Sequence, residues 1–288
     1  MDVLKIENLC YVYSPNTPYV TTAVDNISFT VKKGEIFGII GHTGSGKSTL
    51  LQMLNGLLKP SSGRVLLNGK DIWENPKAMR QIRSKIGLVF QYPEYQLFEE
   101  TVLTDISYGP KNMGLTKEQA EESAISAAKT VHLSESLLFK SPFDLSGGEK
   151  RRVAIAGIMA MQPEVIVFDE PTAGLDPVGR ELVLSAIMKY REERNATVVI
   201  VSHSMEDMAL ICDNILVLND GKKVLLDNVD NVFNDAHLLE SIGLAVPYVT
   251  SVLLSLKRKG IDLNTNCYTV DAAVQSILSA LGKDGAVC

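Results

Sequence analysis

The stretch IFGIIGHTGSGKST, residues 36–49, decides which fold the sequence predicts. Its first five residues are a continuous apolar run, as expected for a strand that is covered on both faces of a parallel sheet. The segment that starts at Gly41 then matches the phosphate-binding pattern G-x-x-x-x-G-K-[ST], between a predicted strand and a predicted helix. The sequence therefore predicts an α/β fold of the P-loop NTPase type, with a nucleotide site at this loop.

The whole loop is a candidate nucleotide contact: Gly41, His42, Thr43, Gly44, Ser45, Gly46, Lys47, Ser48 and Thr49. The three glycines let backbone N–H groups curl around phosphates, and the lysine reaches the terminal phosphates. The Ser48 hydroxyl is a candidate ligand of Mg²⁺. His42 stands at a variable position of the pattern, so we interpret its side chain as a local packing or polar contact. A glycine-rich turn without function is the alternative for the loop.

Two further apolar runs predict buried strands of the same sheet, VIVF at 165–168 and TVVIV at 197–201. Asp169 and Glu170 follow the first run, at the end where open α/β sheets bind ligands. We expect Asp169 to hold the Mg²⁺ shell through water and Glu170 to orient or deprotonate an attacking water. The alternative is an acidic pair that ends a strand at solvent. His203 follows the second run, where a γ-phosphate contact and a structural role are equally compatible with the sequence.

The segment DLSGGEKRRVAIAG, residues 144–157, predicts a helix start with an unusual first turn. Ser146 and Glu149 have the spacing of a capping box, in which each side chain satisfies a free backbone N–H group. Gly147 and Gly148 are poor helix formers, but they leave the N–H groups accessible to an anion. We interpret this helix start as half of an anion site, with the anion supplied from elsewhere.

Composition limits the classes of protein that fit. The chain has 288 residues, a formal net charge of -6 and four cysteines with no C-x-x-C pair. The charge argues against a surface for nucleic acid, and the cysteines favour free thiols in a reducing compartment. The sequence has no apolar run long enough for a membrane helix and no signal pattern at its start. These features predict a soluble, cytosolic protein.

Changes of periodicity along the chain predict its organisation. LKIENLCYVY and AVDNISFTV predict an N-terminal antiparallel β layer. Strands stop between about 92 and 163, which predicts a helical insertion with one helix capped by Thr116 and Gln119. We therefore predict an ATPase domain over 1–227 and a small helical appendage over 228–288, with two amphipathic helices.

The ordered set GHTGSGKS, Gln91, LSGGE, VIVFDE, GLD and His203 resembles the ATPase subunits of ATP-binding cassette (ABC) transporters. VFQYPEYQLFEETVLTDISYGP and DEPTAGLDP are more specifically similar to the A-type ATPases of energy-coupling factor (ECF) transporters, and most similar to the second of two paralogues. The resemblance implies a peripheral ATPase on the cytoplasmic side of the cell membrane that uses ATP and Mg²⁺. It also implies a paralogous ATPase partner, a transmembrane coupling subunit and a substrate-binding membrane subunit, which together import vitamins or metal ions.

The resemblance also assigns roles to single residues. Tyr13 matches the residue that stacks on adenine, with Tyr11 a weaker candidate and a core aromatic the alternative. Gln91 matches the glutamine that touches Mg²⁺ and the attacking water, and Asp176 the aspartate that communicates across the dimer. In a head-to-tail pair, Ser146, Gly147, Gly148 and Glu149 would bind the γ-phosphate of ATP held by the partner. Many members of the family have glutamine at the position of Glu149.

The segment VFQYPEYQLFEETV, residues 89–102, combines Gln91 with several apolar side chains, among them Leu97 and Phe98. It predicts a groove for an amphipathic helix of a membrane partner, with a buried hinge as the alternative. Two other classes of protein fit less well. A nucleic-acid-handling ABC ATPase would usually have two cassettes or a coiled-coil insertion, and a nucleotide sensor that does not hydrolyse would lack Glu170.

Overall fold

A parallel sheet with one antiparallel edge organises the chain, whose residues 1–282 are described by a computed structural model. Its strand order is β10-β9-β3-β8-β7-β6. The strands are β3 (Ile36–Ile40), β6 (Ile86–Val89), β7 (Val165–Asp169), β8 (Thr197–Val201), β9 (Asn214–Asn219) and β10 (Lys222–Asn228). The continuous apolar runs of β3 and β8 are completely buried, because the sheet is covered on both faces. The predicted α/β fold and its three central strands are confirmed.

A second sheet forms the predicted N-terminal layer, which is confirmed as antiparallel. Its order is β2-β1-β4-β5, with β1 (Asp2–Tyr13), β2 (Thr21–Lys32), β4 (Ser62–Leu67) and β5 (Lys70–Asp71). One apolar core joins this layer to a face of the central sheet, and helix α1 (Lys47–Leu54) packs in it. Phe29 of β2 stacks on Phe37 of β3 with 5.1 Å between the ring centroids.

The predicted insertion between β6 and β7 consists of α3 (Val102–Asn112), α4 (Lys117–Thr130) and α5 (Gly147–Met159). Together with α6 (Pro177–Arg194) and α7 (Met205–Ile211), these helices pack in the core on the opposite face of the central sheet. Helix α2 (Met79–Lys85) precedes β6 and packs against the core shared with the N-terminal layer. Short 3₁₀ turns at Pro76–Ala78, Pro93–Gln96, Glu135–Leu137 and Pro142–Asp144 connect them. The predicted capping box of Thr116 and Gln119 is present at the start of α4. The buried alanine stripe of α4 packs in the same core as α5 and α6.

Residues 229–282 contain four helices, of which the sequence predicted the last two. They are α8 (Val229–Asn234), α9 (Ala236–Ser241), α10 (Tyr248–Arg258) and α11 (Val270–Ala280). The apolar residues of 229–246 belong to the core of the central sheet. A separate small core, made by Leu253, Leu263, Cys267 and Ala273, begins only with α10. The first part of the predicted appendage is therefore packed as part of the ATPase domain.

Among residues 1–282, Cys10, Cys212 and Cys267 are free thiols, and Cys288 lies outside the described residues. None of the helices in that range is long and apolar enough to cross a membrane.

Candidate functional site

The phosphate loop has a backbone shape that two of its glycines make possible. Gly44 and Gly46 have φ values of +85° and +97°, in the left-handed region that side chains disfavour. A Cβ atom at Gly46 would collide with the carbonyl oxygen of Ala23, whereas the space beside Gly44 is open. The loop therefore leaves an open concave backbone at Gly44, where an anion can approach the N–H groups.

Lys47 is the first residue of α1, and its side chain extends across this loop. Its side chain is buried, and Nζ donates to the carbonyl oxygens of Gly41 and His42 at 2.6 and 2.8 Å. Burial lowers the pKa of Lys47, while the nearby carboxylates of Glu170 and Asp169 oppose that shift. The ammonium group is thus held beside the open part of the loop and next to two acids. A phosphate would give this buried ammonium group, which donates here to two carbonyl oxygens, an anionic hydrogen-bond partner.

His42 makes the kind of local polar contact that the sequence suggested. Its Nδ1 lies 2.7 Å from the carbonyl oxygen of Thr43, and its Nε2 lies 3.5 Å from Asp220 Oδ1. Gly41 packs closely against Ser45, since a Cβ atom at Gly41 would lie 2.5 Å from Ser45 Oγ. These three residues shape the loop without lining the cleft described below.

Glu170 stands just beyond the tip of β7 in a strained backbone conformation, with φ of +53°. Its N–H group donates to the carbonyl oxygen of Val201 at 3.0 Å, and its Oε2 accepts from the N–H group of His203 at 3.1 Å. Its Oε1 is buried without a hydrogen-bond partner and lies 3.4 Å from His203 Nε2. Burial, reinforced by the charge of Asp169, raises the pKa of Glu170 to about 7.

Asp169, the last residue of β7, faces the phosphate loop. Burial raises its pKa, and the hydrogen bond from the Ser48 hydroxyl opposes that shift. Burial also lowers the pKa of His203, whose ring is half exposed beside both acids. At neutral pH the neutral imidazole is therefore favoured, so either ring nitrogen can be the acceptor.

One cleft of about 490 Å³ gathers residues from five parts of the sequence: the β1–β2 hairpin, the phosphate loop, Gln91, the acidic pair and His203. We call it the loop cleft, and it is lined by Tyr13, Thr21, Thr22, Ala23, Thr43, Gly44, Gly46, Lys47, Ser48, Thr49, Gln91, Asp169, Glu170 and His203. Sequence reasoning missed residues 21–23. The pairing of Tyr13 with Thr21 across the β1–β2 hairpin is the signal that could have found them.

The two candidate tyrosines have different surroundings. Tyr13 is 41% exposed on the loop cleft, with its hydroxyl 3.2 Å from Thr49 Oγ1. Tyr11 packs against the core between the two sheets and meets Tyr13 edge to face, at 4.7 Å between centroids. The geometry thus favours Tyr13 as the residue that offers a ring face to a base, with Tyr11 as its support.

A second concave surface of about 400 Å³ lies at the start of α5, and it shares no residue with the loop cleft. We call it the helix-start surface, and it is lined by Glu94, Ser146, Gly147, Gly148, Arg151, Arg152, Gly174, Leu175, Asp176, Val178, Gly179 and Leu182. The predicted capping box of Ser146 and Glu149 is present. Asp176 caps α6 by accepting from the N–H group of Gly179 at 2.7 Å.

Arg151 links this surface to the segment after Gln91, a contact that sequence reasoning missed. The buried guanidinium donates through Nε and Nη2 to both oxygens of Glu94, at 2.9 and 2.7 Å. It also donates to the carbonyl oxygens of Pro171 and Ala173. The sequence has three consecutive basic residues here, and it carries no signal for which of them is buried.

A third cavity, of about 320 Å³, lies between α3, α5 and the segment 93–98, and we call it the apolar groove. Phe98 is 57% exposed at its edge and meets the Tyr108 ring edge to face at 4.8 Å. Leu97 lines the same groove, but it is 8% exposed and belongs to the central core. The two residues of the predicted docking pair therefore differ in exposure: Phe98 offers its ring to a partner, whereas Leu97 also fits the alternative of a buried hinge.

Comparisons with known proteins agree with this geometry. A family described as "ABC transporter" matches residues 24–173. The chain is 51% identical to the energy-coupling factor transporter ATP-binding protein EcfA2 of Clostridium acetobutylicum, over 96% of this chain and 98% of that protein. It is 49% identical to the protein of the same name from Clostridium tetani, over 99% of both.

Solved structures give the same result. CbiO1 from Clostridium perfringens, described as part of the ABC transporter complex CbiONQ, has a TM-score of 0.75 and 38% identity, over 90% of this chain and 97% of that one. The ATP-binding cassette MJ0796, in a dimeric post-hydrolysis state with ADP and Pi, has a TM-score of 0.71 and 30% identity, over 78% and 98%. At 38% and 30% identity, both proteins resemble this chain in sequence as well as in fold.

Proposed function

The chain belongs to the ABC transporter family, as an ATP-binding subunit of the energy-coupling factor type, and we propose that it pairs with a paralogous ATPase to power import of a vitamin or a metal ion. As a member of this family it is an ATPase whose hydrolysis of ATP is coupled to transport. One observation supports the pairing above all others. The loop cleft and the helix-start surface lie on the same chain as two separate cavities with no lining residue in common, which supports a model in which each contacts a different nucleotide.

In the proposed head-to-tail pair, the loop cleft of one subunit faces the helix-start surface of the other. The cleft supplies the lysine, the acids and the ring of Tyr13. The helix start supplies the backbone N–H groups of Gly147 and Gly148 at the positive end of a 13-residue helix, which favours a phosphate. The MJ0796 structure, which is dimeric and holds ADP and Pi, supports this arrangement by analogy.

The acceptors around the phosphate loop fit a magnesium ion. Ser48, Gln91 and Asp169 offer a hydroxyl, an amide and a carboxylate oxygen on one cleft, and oxygen is the ligand type that Mg²⁺ prefers. In residues 1–282 no group of three His, Cys, Asp or Glu side chains could hold a metal by itself, so the remaining ligands would be water and phosphate. When bound, Mg²⁺ would neutralise charge on the transferred phosphate.

Glu170 is placed to act on the attacking water. Its unpartnered Oε1 is buried in the cleft, and a pKa of about 7 suits a general base at neutral pH. The hydrogen bond from the N–H group of His203 fixes the carboxylate, and the imidazole 3.4 Å away can contact the same phosphate or water. Lys47 lies close enough to both acids to hold the γ-phosphate beside them.

The apolar groove is the proposed contact with the transmembrane coupling subunit. It adjoins the segment that begins with Gln91, so a helix seated there would sense closure of the ATP pair. A peripheral position on the cytoplasmic side of the membrane, together with a separate substrate-binding membrane subunit, completes the proposal. These partners determine which vitamin or metal ion is carried.

The experiment that tests the enzymatic role is the change Glu170→Gln in the assembled complex. ATP binding should persist, and multiple-turnover hydrolysis should fall by about 10²- to 10⁴-fold because a positioned base is lost. Exposed Glu192→Gln is the matched control and should leave turnover unchanged. Turnover within a factor of a few of wild type would remove Glu170 from its proposed role.

A second experiment tests the pairing of this chain with the paralogous ATPase. The purified chain, kept monomeric at low concentration as shown by sedimentation, should hydrolyse ATP slowly. Addition of the paralogous ATPase and the coupling subunit should raise the rate per site steeply. A monomer as fast as the complex would contradict the model of two half-sites.

A further inference from the structure

The Glu149 carboxylate accepts hydrogen bonds from both donors of Ser146, the backbone N–H group and the hydroxyl. It accepts from the Ser146 N–H group at 2.9 Å and from the Ser146 hydroxyl at 2.7 Å. In return, Ser146 Oγ accepts from the N–H group of Glu149 at 3.4 Å. The hydroxyl bond is in addition to the two reciprocal bonds that make an ordinary capping box.

The direction of the hydroxyl proton follows from the chemistry of the two side chains. An ionised carboxylate can only accept hydrogen bonds, and the Ser146 contacts lower the pKa of Glu149. The serine must therefore donate its only proton inward to Glu149. Only lone pairs of Oγ remain toward the helix-start surface, and these repel an anion.

Both donors of Ser146 reach the same atom of this carboxylate, Oε2. A glutamine could therefore place its amide oxygen there and keep both hydrogen bonds without the charge. An alanine would remove the acceptor, and the serine proton would then be free to donate outward to a phosphate. The two substitutions thus separate the charge of Glu149 from its hold on the Ser146 proton.

We propose that Glu149 restrains the helix-start surface by holding the Ser146 proton, so that a phosphate from the partner's ATP must displace the carboxylate before Ser146 can donate to it. The proposal rests on the proposed head-to-tail pairing and deepens it. It identifies Glu149 as a positioning residue that sets the ATP concentration at which this half-site closes.

Arg152 offers a place for the displaced carboxylate. Its Nε is buried without a hydrogen-bond partner within residues 1–282, and its guanidinium lies beside the helix start, with Nη1 3.8 Å from where a Cβ of Gly148 would be. The charge of Glu149 already acts favourably on Arg152. The carboxylate thus has two alternative partners, Ser146 when the half-site is open and Arg152 when it is closed.

The test measures ATP-induced pairing of the full chain with its paralogous ATPase, both carrying the substitution equivalent to Glu170→Gln so that ATP persists. Glu149→Ala removes the acceptor and should lower the ATP concentration for half-maximal pairing about tenfold, the size expected when one hydrogen-bond donor becomes free for a charged group. Glu149→Gln keeps an acceptor at the same place and should give a smaller gain. Ser146→Ala removes a phosphate donor and should raise that concentration, and Glu149→Ala added to Ser146→Ala should give little further gain.

A gain of equal size with and without the hydroxyl would overturn the inference, since it would reflect charge alone. The absence of any gain would overturn it as well. If the Glu170→Gln parent does not pair at all with ATP, the proposed function itself fails and the inference falls with it. Pairing of the parent with additive effects of the two changes leaves the proposed function intact and rejects only the role of Glu149.

A second capping box of the same chain provides the experimental control for loss of the helix cap. Thr116 caps α4 through the same kind of box and lines neither the loop cleft nor the helix-start surface. Thr116→Ala should lower the melting temperature about as much as Ser146→Ala and leave ATP-induced pairing unchanged. A change in pairing in the Thr116 variant would show that capping, and not the proton of Ser146, controls closure.

Discussion

Substitution of Glu170 by glutamine should stabilise the nucleotide-free chain, and by more at alkaline pH than at acid pH. The carboxyl has a pKa of about 7 in the folded chain and of 4.5 when unperturbed. Between these values the folded state holds a proton that the unfolded state has released. Stability therefore falls as pH rises through this interval.

The size of the effect follows from the two pKa values. Well above pH 7 the buried charge costs about 3 kcal/mol, and at about pH 5 it costs less than about 1 kcal/mol. Glu170 is 7% exposed, so solvent screens this cost little. A neutral amide avoids it, and its NH₂ group can reach the imidazole that now lies 3.4 Å from Oε1.

The assay is thermal or urea unfolding of the full chain without nucleotide or magnesium, at about pH 5 and about pH 8. The stabilisation by Glu170→Gln should be about 2–3 kcal/mol larger at the higher pH, or roughly 4–8 °C in melting temperature. The groups around the carboxyl that also titrate or carry charge are Asp169, Lys47, His203 and Asp207. They are present in both proteins, so the comparison isolates Glu170.

Exposed Glu192→Gln is the matched control and should show no such pH dependence. An equal gain for Glu170→Gln at both pH values would mean that the carboxyl is not protonated in the folded chain at neutral pH. A loss of stability at the higher pH would contradict the burial of an unpaired charge altogether.

Three further changes test other parts of the molecule. Phe98→Ala should weaken co-purification with the coupling subunit at unchanged ATP affinity, measured by pull-down and by nucleotide titration; weaker ATP binding would argue against a docking role. Tyr13→Ala should weaken the binding free energy of ATP by about 1–3 kcal/mol, the range for loss of base stacking, whereas Tyr13→Phe should have little effect, as isothermal titration would show. Arg151→Met should destabilise the fold by about 3–5 kcal/mol because it leaves the buried Glu94 charge unpaired, and Glu94→Leu in the same chain should recover most of that loss in urea unfolding.

Local patterns were sufficient to predict most of the fold. The apolar run at 36–40 needs burial on both faces, and the capping boxes at Thr116 and Ser146 are read directly from four residues each. The parts that were missed depend on tertiary contacts. Helices α8 and α9 are six residues each, too short for a clear periodicity, and their apolar side chains are buried by the central sheet.

The candidate site shows the same division. The loop and the acidic pair could be predicted because their residues are consecutive. The bidentate contact between Arg151 and Glu94 joins positions 57 apart, and no feature of the basic run indicates it. Leu97 and Phe98 are adjacent and both line the apolar groove, yet Leu97 is buried and Phe98 is exposed, a difference that depends on how the segment turns after Pro93.

The strand order also determines when the chain can fold during its synthesis. Strand β3 carries the phosphate loop and lies between β8 and β9, and the N–H group of Ile36 donates to Asp213, which is 177 positions away. At about 5–20 residues per second, the ribosome takes roughly 10–35 s to make the intervening segment. For most of that time this fully buried apolar strand has neither of its neighbours. The nascent chain is therefore expected to need a chaperone until β9 and helices α8 and α9 have emerged, and pulse-labelled chains that end before them should remain sensitive to protease.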